Sequence, residues 1–347
     1  MKILSSADWH LDAPLSARDD ALRDALLSIP GKLAALCRAE NCDLVLLSGD
    51  LFDGPYTQES LHALRSALAD MAVPVFIAPG NHDHLGIGPW QRETFPENVH
   101  IFTTPRLTAV QCGDVTVYGA GFTGMDCHGL LEGFRAAGDH AICVLHGDPM
   151  NASSPNCPVT RAQVENSNLR YLALGHIHKA GHFTAGRTLC AWPGCPMGRG
   201  FDETGSKGAY IVTLGETTGC QFVTLDVPRF YDLSCDAGSD PAATIGSLLP
   251  AAASNDYSRI TLTGESEPLD TAALTARFSH IPHLQLRDHT AAPLDIWGSA
   301  GEDSFEGTLF ALLQQQLENS PESEKETVLL AARYCRQLLS GQEVKLP

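Results

Sequence analysis

The sequence has no long hydrophobic run. No apolar stretch reaches roughly 18 residues without a polar interruption, which excludes a transmembrane helix. Asp8 and His10 interrupt the apolar opening of the chain, so we expect no signal peptide and a cytoplasmic protein. Internal repeats and low-complexity segments are absent too, which excludes a repeat array.

No two cysteines form a CxxC pair, although the chain contains 11 of them. They are odd in number and scattered, which argues against a disulfide framework or a zinc knuckle. Cys37, Cys143 and Cys335 lie within apolar or helical patterns, where a cysteine behaves as a small hydrophobe. We therefore expect buried, reduced thiols.

Positive charge is scarce. The 23 Lys and Arg residues face 41 Asp and Glu residues, giving a net charge of −18. A bulk surface of this sign excludes broad non-specific binding to DNA, because such binding needs cations that displace counterions. Bound divalent metals, a few local arginines or a partner protein could still bring phosphate into a cleft.

The first part of the chain alternates short apolar runs with helical patterns. The predicted strands are 1–6, 43–48, 73–78, 141–145 and 171–174, and the predicted helices are 17–40 (broken near Pro30-Gly31), 57–71 and 160–166. This alternation indicates βαβ units with buried parallel strands. Further strands at 100–102, 107–111, 115–120, 188–192, 208–214 and 221–225 favour two packed sheets with helices outside.

The pattern changes at Val227-Pro228. Predicted strands at 229–234, 258–263 and 284–288 with predicted helices at 242–253 and 271–278 indicate a small α+β domain between 228 and 290. Amphipathic helices at 304–318 and 322–340 follow, with Ser320 as the expected cap of the second. We therefore predict three parts, 1–227, 228–290 and 291–347.

Five short motifs directly follow predicted strands. They are Asp8-Trp9-His10, Gly49-Asp50, Gly80-Asn81-His82-Asp83, His146-Gly147-Asp148 and Gly175-His176-Ile177-His178. Each is weak evidence alone, but in α/β sheets ligands gather outside the carboxyl ends of strands. The set therefore predicts a single site. Strand alternation predicts that the two ends of D-x-H share a face, as do the two histidines of GHxH.

The motifs supply ligands for two metal ions. The candidates are Asp8, His10, Asp50, Asn81, His146, His176 and His178. Mixed imidazole and carboxylate ligands suit Mn, Fe or Zn better than Ca or Mg. Two ions roughly 3.5–4 Å apart clamp a phosphoryl group and lower the pKa of a bridging water.

A leaving alkoxide also needs a proton. His82 lies beside a ligand without being counted as one, so we predict that it is the general acid. Asp83 is predicted to hold the His82 ring by a hydrogen bond. Nearby His84, Asp53 and Asp148 are interpreted as supporting or surface residues.

In their order along residues 1–227, these motifs resemble the calcineurin-like metallophosphoesterase superfamily. The resemblance implies a four-layer α/β/β/α fold, two metal ions and hydrolysis of phosphate esters, with His82 protonating the leaving group. The implied ligands of one ion are Asp8, His10, Asp50 and His178, and those of the other are Asp50, Asn81, His146 and His176.

Three stretches resemble the SbcD-type DNA repair exonuclease subunit within that superfamily. They are 48–53, the segment 192–210 with its PGCP, FDE and KG motifs, and the small domain after Val227, which resembles a capping domain. The resemblance implies a Mn²⁺-dependent exonuclease or endonuclease, a homodimer and an SbcC-like coiled-coil ATPase as partner. Cys195 stands where these nucleases often have serine, and Asp53 where several have histidine.

Two other functions stay open. A small-molecule phosphodiesterase or phosphatase is favoured by the acidity of the chain. A non-enzymatic scaffold for an ATPase is disfavoured by the complete ligand set. The apolar faces of the last two helices either pack on the capping domain or bind the ATPase.

Overall fold

The computed structural model describes residues 1–15, 20–250 and 255–341. The helices are α1 (Asp20–Leu27), α2 (Ile29–Ala39), α3 (Gln58–Met71), α4 (Arg161–Asn166), α5 (Pro241–Leu248), α6 (Thr271–Arg277), α7 (Phe305–Asn319) and α8 (Glu322–Leu339). The strands are β1 (Lys2–Ser6), β2 (Leu44–Leu47), β3 (Val75–Ile77), β4 (Val99–Ile101), β5 (Thr108–Cys112), β6 (Val115–Gly119), β7 (Ala141–His146), β8 (Tyr171–Gly175), β9 (Gly181–Ala185), β10 (Thr188–Trp192), β11 (Gly208–Leu214), β12 (Thr218–Thr224), β13 (Phe230–Asp236), β14 (Tyr257–Thr263) and β15 (Leu284–Asp288). None of the described helices is long and apolar enough to span a membrane.

Two six-stranded sheets carry the first part of the chain. The first has the order β12-β11-β1-β2-β3-β4, with β1 to β4 parallel. The second has the order β5-β6-β7-β8-β10-β9, with β6, β7, β8 and β10 parallel. The carboxyl ends of β1, β2 and β3 therefore share one edge, and those of β7 and β8 share another.

Side chains alternate between hydrophobic layers. On β2, Val45 packs in the layer that contains α1 to α3, whereas Leu46 packs between the sheets. On β7, Val144 packs between the sheets and Leu145 packs in a layer with Val164 of α4. Because the strand period is two, both faces of the central strands β2 and β7 are buried. The four-layer α/β/β/α fold is confirmed.

Local signals set the helix ends in this part of the chain. Thr57 accepts a hydrogen bond from the Ser60 backbone N–H (3.1 Å) and donates its own N–H to the Ser60 hydroxyl, forming a capping box at α3. The predicted break near Pro30 is confirmed, although it falls at Ser28, and Pro30 lies in the first turn of α2. Residues 17–19 of the first predicted helix lie outside the described residues.

The described residues divide into two compact units. The first draws on Met1–Asp232 with Asn255–Tyr257 and contains both six-stranded sheets. The second draws on Leu233–Ser254 with Ser258–Pro347 and contains most of the sheet β13-β14-β15 with α5 to α8. The division into 1–227, 228–290 and 291–347 stays a prediction. The end of the helix predicted at 242–253 lies partly outside the described residues.

The second unit has its own packing around α7 and α8. The Arg336 guanidinium lies 3.9 Å from the ring centre of buried Phe310 and donates to the Ile296 carbonyl (3.0 Å). Ser320 does not cap α8. Its hydroxyl bonds the Gln316 carbonyl (2.8 Å) at the end of α7, because Pro321 occupies the N-cap position.

Candidate metal centre

All five motifs lie at strand ends, as predicted. Three of them begin after β1, β2 and β3, whereas His146 and Gly175 are the last residues of β7 and β8 in the first unit. Most of the candidate side chains therefore lie beyond the strand ends, where alternation does not orient them. Asp8, His10, Asp50 and His176 have φ angles of 55°, 48°, 52° and 85°, in the left-handed region. Loop geometry, not strand alternation, directs these groups. Asp8 and His10 still converge on one donor group, as predicted, whereas His176 does not join the group that contains His178.

Glycine in the motifs permits close backbone approach. A Cβ atom on Gly80 would lie 2.2 Å from Asp50 Oδ1, and one on Gly175 would lie 2.1 Å from the Ser48 carbonyl oxygen. Any side chain at either position would push the loop away from its neighbour. The two glycines therefore allow loops from both sheets to meet.

The loops bring most of the predicted ligands together. One group comprises Asp8, His10 and His178, and another comprises Asp8, Asp50 and His146, with donor atoms within 4.8 Å of one another in each group. Asn81 joins the second group, since its Oδ1 lies 2.9 Å from His146 Nε2. Asp8 belongs to both groups, and the division of the candidates into two metal shells stays a prediction.

Three histidines present the same nitrogen to the site. Each donates a hydrogen bond from Nδ1 to an oxygen: His10 to Asp53 Oδ1 (2.9 Å), His146 to the Ser48 carbonyl (2.9 Å) and His178 to Glu203 Oε1 (2.6 Å). A neutral imidazole that carries its proton on Nδ1 has a lone pair on Nε2. Each ring is therefore oriented as a metal ligand.

The acceptor atoms face one another. His10 Nε2 lies 3.1 Å from His178 Nε2, and Asp50 Oδ2 lies 3.3 Å from His146 Nε2. Asp8 Oδ2 is buried without a hydrogen-bond partner. Converging lone pairs repel, and a buried unpaired carboxylate oxygen is costly. Divalent cations would remove both costs, so these residues fit two metal ions.

His176 occupies a different position from the other predicted ligands. Its backbone N–H donates to Asp8 Oδ1 (2.9 Å), and its ring centre lies 5.3 Å from that of His146. His176 Nε2 is 3.8 Å from Asp148 Oδ2. It is in none of the donor groups found among the described residues. Its role as a ligand stays a prediction.

The partner of the His82 ring is Asp53, and the predicted bond to Asp83 is wrong. His82 Nδ1 lies 2.7 Å from Asp53 Oδ1. The Asp83 carboxylate instead accepts backbone N–H groups from Gly80 (2.8 Å) and Leu51 (2.7 Å). Asp83 therefore joins the β2 and β3 loops, and it is fully buried while doing so.

Ionisation in this region follows from these bonds. Hydrogen bonds from His10 and His82 hold the pKa of Asp53 well below its usual range. The bond to Asp53 also raises the pKa of His82, which favours the protonated ring. Burial opposes ionisation of Glu203, but bonds from His178 and Arg199 outweigh burial and lower its pKa.

Sequence reasoning missed Arg199 and underestimated Glu203. Asp53, interpreted from the sequence as a supporting or surface residue, is a supporting one, because it contacts both His10 and His82. Glu203 entered only as part of the FDE stretch, although it bonds His178. Arg199 carries no recognisable sequence signal, because its contact with Glu203 exists only after the loop folds.

Metal binding is expected to raise thermal stability. At concentrations 100-fold above Kd, each ion adds about 2.7 kcal/mol to the free energy of unfolding. Two ions should therefore raise Tm by on the order of 10 °C in a domain of this size. Differential scanning fluorimetry of chelator-treated protein, with Mn²⁺ against NaCl of equal ionic strength, measures this shift. An unchanged Tm would contradict the fit of the residues to cations.

The family follows from comparison with known proteins. The family model of the calcineurin-like phosphoesterases matches residues 1–180. This chain belongs to that family. Membership implies metal-dependent hydrolysis of phosphate esters at a dinuclear metal site, so the predictions of the superfamily and of a metal-dependent phosphoesterase are confirmed.

Sequence identity to individual relatives is low. The uncharacterized metallophosphoesterase YhaO of Bacillus subtilis is 31% identical over 236 residues, covering 61% of this chain and 57% of that protein. The SbcD subunit of the SbcCD nuclease of B. subtilis is 24% identical over 275 residues, covering 65% and 70%. A solved structure, TT1561 of Thermus thermophilus, aligns with a TM-score of 0.42 and 14% identity over 64% of this chain and 98% of that one.

Proposed function

We propose that this protein is a Mn²⁺-dependent phosphodiesterase that cleaves DNA as an exonuclease or endonuclease in repair. The cluster of inward-facing acceptors beside His82 supports the reaction. The 24% identity to the SbcD subunit of the SbcCD nuclease supports DNA as the substrate. When bound, the metal ions offset charge on the phosphoryl oxygens and make hydroxide available near neutral pH.

His82 is proposed as the proton donor to the leaving oxygen. Its side chain is 43% exposed, so a substrate can reach the ring. Asp53 holds Nδ1, which leaves Nε2 to donate, and the same bond raises the pKa of the ring, which favours its protonated form. His82 and Asp53 thus act as a pair, whereas the Asp83 carboxylate fixes the loops after β2 and β3 by accepting their backbone N–H groups.

The second unit is proposed to bind other molecules. We assign 228–290 to a capping domain and 291–347 to a segment that binds an SbcC-like ATPase, with a homodimer as the assembly. Leu312 and Leu338 are 59% and 67% exposed on α7 and α8, which supports an apolar contact there. An ATPase partner would also supply the positive charge that this chain lacks.

DNA cleavage tests the proposal directly. We expect the purified protein with Mn²⁺ and its ATPase partner to cut labelled single- or double-stranded DNA. The same preparation is assayed on bis-p-nitrophenyl phosphate as a small diester. If the small diester is hydrolysed and DNA is never cut, the nuclease proposal fails.

A small-molecule phosphodiesterase or phosphatase is the second candidate. The net charge of −18 favours it, since an acidic surface repels the DNA backbone. The same pair of assays separates the two candidates. Activity on both substrates supports the nuclease.

A further inference from the structure

A partly buried ion pair lies next to one of the proposed metal ligands, His178. Glu203 accepts from Arg199 at three positions: Nη2 (2.5 Å), Nε (3.1 Å) and the backbone N–H (2.9 Å). The side chains of Arg199 and Glu203 are 17% and 7% exposed. Two-pronged contact between guanidinium and carboxylate fixes direction as well as distance.

The same carboxylate reaches the His178 ring. Glu203 Oε1 lies 2.6 Å from His178 Nδ1, while His178 Nε2 lies 3.1 Å from His10 Nε2 on the other side of the ring. Arg199 Nη2 also lies 3.2 Å from His178 Nδ1, so Arg199 contacts this side of the ring both directly and through Glu203, while the opposite side of the ring faces the site. Asp53 holds His10 in the corresponding way.

The backbone of His178 is held as well. Its carbonyl accepts the Cys195 N–H (3.2 Å) and lies 3.4 Å from Lys207 Nζ. A Cβ on Gly194 would lie 2.5 Å from this carbonyl oxygen, so only glycine fits. The main chain of His178 is thus fixed without Glu203, and the Glu203 carboxylate contacts His178 through the ring.

We propose that Arg199 and Glu203 are positioning residues for His178. Glu203 keeps the proton on Nδ1 and the lone pair on Nε2, Arg199 fixes Glu203, and together they set the affinity of the cation shared by His10 and His178. The inference rests on the proposed ligand assignment of these two histidines. It predicts that losing the Glu203 charge weakens one cation site and spares the other.

Glu203→Gln is the decisive variant. A glutamine amide can donate to Nδ1, which moves the ring proton to Nε2 and turns a ligand atom into a donor. We expect Mn²⁺ affinity at one site to fall by about 10- to 100-fold, as changes beside metal ligands typically cause. Isothermal titration of Mn²⁺ into chelator-treated protein measures both sites, and excess Mn²⁺ should restore hydrolysis of bis-p-nitrophenyl phosphate.

Asp202→Asn is the matched control, because it removes one negative charge from the neighbouring, exposed residue. We expect its two Mn²⁺ affinities to equal those of the wild type. If both Mn²⁺ affinities of Glu203→Gln equalled those of the wild type, the positioning role would be overturned. A loss of Mn²⁺ affinity in Asp202→Asn as large as that in Glu203→Gln would overturn it too. If the wild type itself bound no Mn²⁺, the ligand assignment would fail too.

If Glu203→Gln does not fold, a second variant tests the same proposal. Arg199→Lys keeps the positive charge but cannot make the two-pronged contact. We expect a loss at the same site that is smaller than for Glu203→Gln, with far-ultraviolet circular dichroism unchanged. Unchanged Mn²⁺ affinity in a folded Arg199→Lys protein would overturn the role of Arg199.

Discussion

Replacing His82 with alanine is expected to lower kcat by about 10²- to 10⁴-fold while both metal ions remain bound. His82 is not among the assigned metal ligands, and its ring is held by Asp53 at 2.7 Å. Removing the ring removes the proton donor and leaves the assigned ligands intact. Steady-state kinetics measure the fall in kcat, and Mn²⁺ titration of the same preparation measures whether both metal ions are still bound.

The leaving group provides the sharper test of His82. A p-nitrophenolate departs without a proton, whereas the alkoxide released from DNA needs one. The loss in His82→Ala should therefore be much smaller for bis-p-nitrophenyl phosphate than for DNA. His84→Ala changes a histidine of the same loop and should leave kcat unchanged. Equal losses on both substrates would refute the role of general acid.

Replacing Asp50 with asparagine is expected to abolish binding of both metal ions. Asp50 Oδ2 lies 3.3 Å from His146 Nε2 and 3.8 Å from His10 Nε2, so this carboxylate stands between the two proposed shells. A neutral amide cannot bridge two cations as a carboxylate does. Each ion contributes several kcal/mol to the transition state, so turnover should fall by about 10³-fold or more.

Although Asp50→Asn should lower turnover, it should not lower the thermal stability of the metal-free protein. The asparagine amide can donate to the lone pairs that Asp50 faces, so the metal-free variant should melt at or above the Tm of the metal-free wild type. Adding Mn²⁺ should no longer raise Tm. Asp114→Asn, which removes a charge in the turn between β5 and β6, is the control and should keep the Mn²⁺ response. A Mn²⁺-stabilised Asp50→Asn protein would contradict the bridging role.

Much of the fold could be predicted because it depends on short-range pattern. The predicted strands 188–192 and 208–214 match β10 and β11. Strand β9 was missed, since its side chains alternate between partly exposed and exposed and it forms at a sheet edge by pairing with β10. Such an edge strand has no continuous apolar run for a sequence pattern to reveal.

The same distinction between short-range sequence pattern and tertiary structure applies to the candidate site. The types of the candidate ligands and their places at the ends of five strands are local properties, and the sequence alone determined them. Which carboxylate meets which imidazole depends on loops distant along the chain: Asp53 rather than Asp83 holds His82, and Glu203 meets His178 25 residues away. Left-handed backbone at the strand ends turns these side chains, and alternation cannot predict it. Only the tertiary structure decided the pairing, because hydrogen bonds a few ångströms long require the loops to be packed first.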